Sequence, residues 1–571
     1  MNSSELHKNS SEGKGIQFLL EAEKAVREGR IEVASGMLNR ENLEMFERYH
    51  YEHPSNTNPV FVLAMILIRS NRLEEAEQWY RRVLRQGPSA TAWNGLGCVC
   101  QFQGRVSEAV HYHRLALEKQ PDNTDYKAKL ARSLLETGRT EEGLNLLKKT
   151  VDIADNGEIH SNLLLRLHYD CSAEPGRLYS EHRNWAKRYA PPEKAEKVVT
   201  AVNRDRVLKV GYVSSDFRRH SVCYFIEPVL DHHDKNNIQV FGYGNVSVPD
   251  EITSRVKTKF SGYRNIYGVS AEESAEIIKS DHIDILVDLN GHSRDNRLDV
   301  FAMKPAPVTV TYLGYPDTTG MEAMDYRLTD RIADPPQMQQ YYSEQLVYLP
   351  EGFLCYMPNE YAGPVSEPPV KKKGYVTFGS FNNHCKINPG VISVWSAILR
   401  INPDFRLILK FRCGSDEGVR DYYLQQFVQN GIEPGRIEIL GWMSPYEHLK
   451  LYERIDIGLD TWPYNGTTTT CEALWMGVPV VSMAGQRHSG RVGRSILTRI
   501  GLNSFCVENS RDYAARAAAL ADNMDAISGL RNSMRARIAA SGLCYAEGFT
   551  RMLEKAYRCI WERWCAKTEK T

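Results

Sequence analysis

The feature that most limits how this chain can fold is a repeat in its first third. Asn71-Arg72-Leu73-Glu74-Glu75-Ala76 returns as Gly104-Arg105-Val106-Ser107-Glu108-Ala109 and again as Gly138-Arg139-Thr140-Glu141-Glu142-Gly143, with the arginines spaced 33 and then 34 residues apart. Pro88 and Pro121 close matching units, also 33 residues apart. Each unit reads as two amphipathic helices around a short Gly/Asn-Arg turn. One unit cannot bury its apolar stripe alone, so the units must stack into a curved helical solenoid with a concave groove. A weaker copy of the turn stands at Gly29-Arg30-Ile31-Glu32.

The length and pattern are those of a tetratricopeptide repeat. A repeat arm is expected over residues 1–155, with a groove suited to selecting protein partners; a helical spacer or a dimerisation element, and hence an oligomer, is the alternative use. A helical transition segment, 156–205, carries Ala190-Pro191-Pro192-Glu193-Lys194. The periodicity then changes. Short β-rich runs at 207–213, 238–243, 283–288 and 308–313 alternate with helical patterns, which argues for a parallel, doubly wound sheet. The Pro- and Lys-containing stretch 363–373 reads as a linker, and a second series of strands follows at 375–380, 405–411, 436–440, 455–459 and 478–483. The expected architecture is α/β with an all-α N-terminal arm: a repeat solenoid, a Rossmann-like lobe over 206–362, and a second Rossmann-like lobe over 374–571. Ligands would sit in the cleft, at the carboxyl ends of the strands.

Composition narrows the function classes. Lys plus Arg (71) equals Asp plus Glu (71) over 571 residues, which removes the electrostatic case for nucleic-acid or membrane binding. The 12 cysteines lie without a Cys-x-x-Cys pair or zinc spacing, as in a reducing compartment. The polar start, MNSSELHKNSSEGKG, lacks the apolar run of a signal peptide, and the run Val60 to Ile68 is too short to cross a bilayer. A cytoplasmic or nuclear protein is the expectation.

The densest chemical signal is the run Leu459-Asp460-Thr461-Trp462-Pro463-Tyr464-Asn465-Gly466-Thr467-Thr468-Thr469-Thr470-Cys471-Glu472. A strand leads through a Pro/Gly turn into four threonines and then a helical pattern. Hydroxyls and free N–H groups at the positive end of a helix suit a pyrophosphate, and Glu472, one turn in, is placed to accept from a ribose. An ordinary threonine cap is the structural alternative. In Phe378-Gly379-Ser380-Phe381-Asn382-Asn383-His384-Cys385-Lys386, another strand opens into polar residues, and Lys386 is placed to neutralise a departing phosphate. His220, in the loop after the first strand of the first lobe, has the pKa range of a base or an acceptor-orienting group, although a lone histidine is more often structural. The chain has no Asp-x-Asp, no Gly-x-x-x-x-Gly-Lys-Ser/Thr and no strand-linked Gly-x-Gly-x-x-Gly. These absences count against a carboxylate-held metal, an NTPase and a dehydrogenase.

Repeats followed by GYVSSDFRRHS, KPAPVTVTYLGYPDTTG, FGSFNNHCKINP, LDTWPYNGTTTTCEALWMGVPVVSMAG and HSGRVGRSIL resemble the O-linked N-acetylglucosamine transferase and SPINDLY family. The resemblance implies a GT-B fold and inverting transfer without metal or cofactor from a nucleotide sugar to Ser/Thr of intracellular proteins. It implies that Lys386 is the essential lysine at the diphosphate, with Asn383 close to the donor. Thr468 and Thr469, beside Thr467, become phosphate binders, and Glu472 the acidic ribose ligand. His448 becomes the histidine stacked on the base, and His220 the active-site histidine near sugar and acceptor. Thr467 stands where the animal enzymes have His, and Thr470-Cys471-Glu472 replaces their Gly-Met-Asp; both changes look more like SPINDLY. UDP-GlcNAc is the preferred donor and GDP-fucose the alternative. A non-catalytic repeat scaffold is the rival reading from another class.

Overall fold

The computed structural model describes residues 16–27, 30–195 and 202–570. Gly29, the whole polar N-terminal stretch 1–15 and residues 196–201 of the transition lie outside them. The repeat is read out in local geometry. Asn71, Gly104 and Gly138 hold positive φ values of 58°, 81° and 84°, the left-handed turn that ends one helix and aims the next. The following arginine pairs with the glutamate three residues on: Arg72 with Glu75 at 2.6 Å, Arg105 with Glu108 at 2.9 Å, Arg139 with Glu142 at 2.5 Å. Ser89, Asn123 and Asn156 cap the first helix of successive units by accepting from a backbone N–H three residues ahead.

The helix Gly157–Leu167 packs on Thr140–Ile153, so stacking runs beyond residue 155 into the transition segment. Pro175–Tyr189 then turns onto the first lobe. Trp185 and Ala186 share a core with Leu298, Phe301 and Met324, and Trp185 Nε1 donates to the Gly157 carbonyl at 2.9 Å. The arm also touches the second lobe, where the Ser107 N–H donates to Asp416 at 2.9 Å.

The first sheet comprises β1 (Leu208–Ser214), β2 (Ile238–Gly244), β3 (Gly262–Asn265), β4 (Ile285–Asp288), β5 (Val308–Thr311), β6 (Tyr326–Thr329) and β7 (Gln345–Tyr348), all parallel, in the order β3-β2-β1-β4-β5-β6-β7. Alternate residues feed two cores: Val210, Tyr212 and Val287 lie in one, Val213 and Leu286 in the other. That is the burial of a parallel sheet covered on both faces. The second sheet comprises β8 (Thr377–Ser380), β9 (Arg406–Lys410), β10 (Ile437–Leu440), β11 (Ile457–Leu459), β12 (Val480–Met483) and β13 (Cys506–Val507), in the order β10-β9-β8-β11-β12-β13. Every strand expected from the sequence is present; β3, β6, β7 and β13 are present too but were not expected.

Two boundaries differ from expectation. Within the linker, Val370–Lys373 is a short helix docked on the second lobe, with the Val370 N–H donating to Asp456 Oδ1 at 2.9 Å. The last helix, Ala546–Thr568, leaves the second lobe and packs on Cys223–His232 of the first, so 374–571 is not one lobe. The physical reason is its apolar stripe: Tyr557, Ile560 and Trp561 are buried there, and the Tyr557 hydroxyl lies 3.2 Å from that of Tyr212. Among the described residues no helix is long and apolar enough to cross a membrane.

Candidate active site

In each sheet the chain changes direction at one place, between β1 and β4 and between β8 and β11. Loops leaving neighbouring strands there diverge and open a crevice at the carboxyl ends. In the second lobe these are the loop 381–386 after β8 and the loop 460–467 after β11. Topology thus brings together two stretches far apart in sequence.

Lys386 ends a single 3-10 turn, His384–Lys386, which Asn383 caps by accepting from the Cys385 N–H at 3.0 Å. Its Nζ donates to the Asn465 carbonyl at 2.8 Å and lies 3.9 Å from the centroid of the Tyr464 ring. Burial lowers the ammonium to about 8, while Asp460 and Cys385 draw it upward. Neither of its two contacts, the Asn465 carbonyl and the Tyr464 ring, is a carboxylate.

Asp460, fully buried, organises the opposite loop. It accepts from the N–H groups of Gly466 and Thr461 at 2.7 and 2.9 Å and from Ser482 Oγ at 2.7 Å. Burial raises its carboxyl to about 6 against these bonds. The turn delivers the chain to the helix Thr468–Trp475, whose N-cap Thr467 makes no side-chain capping bond. The first-turn N–H groups therefore have no side chain across them. Thr467, Thr468 and Thr469 are half-buried. The Thr469 hydroxyl donates to Asn382 Oδ1 at 2.9 Å, joining the two loops, and the Thr470 hydroxyl donates to the Gly466 carbonyl at 3.1 Å. Two of the four hydroxyls are thus used internally, which restricts the expected role of Thr469 toward its backbone.

His448 and Glu472 also meet, with Nε2 3.0 Å from Oε2. The helix carrying His448, Pro445–Leu451, begins in a capping box formed by Ser444 and Glu447. The imidazole lies edge-on to Phe381 and Tyr452 at 5.8 and 5.6 Å, and its Nδ1 is buried without a partner.

His220 stands on the facing lobe, between β1 and the helix Cys223–His232. Its Nδ1 accepts from the Val222 N–H at 3.4 Å and lies 3.4 Å from Asp216 Oδ2. Burial, aided by Arg218, lowers its pKa against the pull of Asp216, which favours the neutral ring. It lines a cavity of about 290 Å³ with Tyr224, Asn359 and, from the second lobe, Pro445, so it faces the cleft. A second cavity of about 360 Å³ lies between the arm and the loops after β8 and β9, lined by Arg132, Arg166, Asn383 and Lys410.

Sequence reasoning missed Asp460, Asn382, Tyr464 and Asn465 as organisers of the site. Their signal was position: Asn382 and Asp460 follow the ends of β8 and β11 within two residues, and Tyr464 and Asn465 lie in the turn after β11. One further group, His168, His182 and Asp317, presents atoms within 4.8 Å of one another in the interior. The nearby guanidiniums of Arg487 and Arg327 oppose a dication there.

Comparison with known proteins agrees with this architecture. The family model described as Glycosyl transferase family 41 matches residues 190–358 and 371–553, and tetratricopeptide-repeat models match 19–91 and 103–167. The chain is similar to the probable UDP-N-acetylglucosamine–peptide N-acetylglucosaminyltransferase SPINDLY of Oryza sativa subsp. japonica, 43% identical over 420 residues, 72% of this chain and 45% of the relative. The corresponding SEC protein of Arabidopsis thaliana is 31% identical over 69% of this chain and 41% of its own. The chain thus spans a little under half the length of these curated relatives. A solved O-GlcNAc transferase mutant of Thermobaculum terrenum superposes with a TM-score of 0.85 at 32% identity, covering 90% of this chain and 99% of that one. With two parallel-sheet lobes in GT-B arrangement behind a repeat arm, and a family match over most of its length, this chain belongs to glycosyl transferase family 41, the O-GlcNAc transferase/SPINDLY family.

Proposed function

We propose that the chain is an inverting, metal-independent protein O-glycosyltransferase that moves N-acetylglucosamine from UDP-GlcNAc to Ser/Thr of acceptor proteins. The observation that carries this reading is the 2.8 Å bond from Lys386 Nζ to the Asn465 carbonyl. It sets the ammonium beside the start of the Thr468–Trp475 helix, where a diphosphate meets positive charge without a metal. An acceptor hydroxyl oxygen attacks the anomeric carbon as the bond from that carbon to the phosphate oxygen breaks. The nucleoside diphosphate leaves with the bonding pair, against Lys386 and the N–H groups of Thr468 and Thr469. Neutral His220 on the facing lobe orients the acceptor hydroxyl or takes its proton. His448 and Glu472 hold base and ribose, Asn383 steadies the turn carrying Lys386, and Thr467 borders the sugar. The arm groove presents acceptors.

The residues at 467 and 470–472 favour a second reading, a SPINDLY-like O-fucosyltransferase using GDP-fucose. Incubation with each donor and an acceptor extract, followed by intact-mass measurement, separates the two readings. An N-acetylhexosamine increment supports the first and a deoxyhexose increment the second. Consumption of neither donor leaves a repeat scaffold. Lys386→Ala is expected to lower turnover by about 10²–10³-fold with an unchanged circular dichroism spectrum.

A further inference from the structure

Lys386 belongs to the second lobe, yet the side chains that confine it extend into the arm. Its ammonium rests between the carbonyl of Asn465 and the ring of Tyr464, two successive residues of one turn. That turn is fixed at the backbone: the Tyr464 carbonyl accepts from Thr461 Oγ1 at 2.8 Å, and Asn465 Nδ2 donates to the Thr461 carbonyl at 2.8 Å. What remains free is the swing of the Tyr464 ring. The arm takes up that freedom. Tyr169, in the corner between the helices Gly157–Leu167 and Pro175–Tyr189, stacks on Tyr464 with centroids 5.8 Å apart and planes 29° from parallel. His168 meets the same ring edge-on at 6.2 Å. The corner is itself tied down. The guanidinium of Arg166 lies 5.7 Å from the centroid of Tyr169, and Arg487 Nη2 of the second lobe donates to the Asp170 carbonyl at 3.1 Å.

We propose that Tyr464 and, through it, Tyr169 are positioning residues for Lys386, so that the last corner of the repeat arm forms part of the cage that aims the lysine. This rests on the reading above that Lys386 meets the leaving diphosphate. A lysine stem has four rotatable carbons and loses its aim unless something holds the head group. A backbone carbonyl supplies one direction, and an aromatic face within 6 Å supplies attraction without neutralising the charge, as a carboxylate would. The arrangement holds the ammonium in place until a phosphate arrives. It also makes the lysine sensitive to where the arm sits, because Tyr169 moves only with the arm corner. Ordinary packing would fill the same space with any apolar side chain. An aromatic pair in series with an ammonium is a more specific arrangement.

The test compares kcat and donor KM for the wild type, Tyr464→Leu, Tyr464→Phe, Tyr169→Leu and the double Tyr169→Leu/Tyr464→Leu variant, each also in a Lys386→Ala background. Tyr464→Leu is expected to lower kcat about tenfold with donor KM changed much less. Tyr464→Phe, which keeps the ring and drops the hydroxyl, restores most of that loss. Tyr169→Leu gives a smaller fall in the same parameter, and the double variant is no worse than Tyr464→Leu, because Tyr169 acts through the second ring. With Lys386 already removed, neither substitution lowers the residual rate again. Additive losses, losses that persist without Lys386, or a Tyr464→Leu enzyme with wild-type kcat would each overturn the proposal. If Tyr464→Leu does not fold, Tyr169→Leu with and without Lys386 carries the same comparison. A wild-type protein that consumes neither donor refutes the transferase reading itself. An active wild type with an indifferent Tyr464 refutes only the cage.

Discussion

In the proposed reaction Lys386 is the residue on which the chemistry turns, and its surroundings make a pH prediction with a definite sign. Burial has lowered it to about 8, and in the proposed role it serves only when protonated. The free-enzyme profile of kcat/KM should therefore hold below pH about 8 and fall as pH rises through that value. Bound diphosphate adds negative charge beside the ammonium, so the kcat profile should break at a higher pH. Coincident breaks in the two profiles would contradict the placement of Lys386 at the phosphate. At this scale the sequence was partly readable. Lys386 stood out because a strand end precedes it, and Glu472 because it lies one turn into a helix. That His448 would touch Glu472, and that Asn382 would bond Thr469, could not be read: those contacts exist only once β8, β11 and the helix Pro445–Leu451 are side by side. Nor could the different use of the last threonine be read, Thr470 turning back to the Gly466 carbonyl.

The element that matters most is the turn feeding the helix Thr468–Trp475. A Cβ on Gly466 would stand 2.5 Å from Thr469 Oγ1 and 2.8 Å from Asn382 Oδ1. Gly466→Ala must therefore part the two loops. It is expected to weaken nucleoside-diphosphate binding about tenfold, as overpacking by one to two kcal/mol would, with little change in the melting temperature of the arm. Equal affinity by calorimetry would show that the loops need not meet. In the arm, Gly138 holds φ at 84° and faces Tyr422 of the second lobe, where a Cβ would come within 2.4 Å. Gly138→Ala should cost about 1 kcal/mol or more, read as a lower thermal midpoint. The repeat turn was legible because Gly or Asn followed by Arg recurs at fixed spacing, and each residue has one physical task. The strands β6, β7 and β13 were not, since Tyr326–Thr329, Gln345–Tyr348 and Cys506–Val507 are too short to establish a period and mix polar with apolar residues or hold only two.

Across the whole molecule, the arm and both lobes interlock. Trp185 sits in the first lobe's core, Ser107 bonds Asp416 of the second, and the last helix crosses back to the first. That crossing was illegible because an apolar stripe on a helix says what must be buried and not against which partner. Phe549, Leu553, Tyr557, Ile560 and Trp561 are all buried. At about 1.5–3 kcal/mol each, their loss equals the net stability of a typical domain. Truncation after Tyr545 should therefore leave the first lobe unfolded, with the fluorescence and proteolysis of an open chain; a soluble, cooperatively melting truncate would contradict this packing. The central claim, a metal-free seat for a sugar-nucleotide diphosphate built from Lys386 and the start of the Thr468–Trp475 helix, is tested most directly by calorimetric titration of UDP and GDP in EDTA. The wild type should bind at least one of them without metal, and Lys386→Ala should bind it at least tenfold more weakly. Binding that requires added Mg²⁺ or Mn²⁺, or that is indifferent to the loss of Lys386, would contradict it.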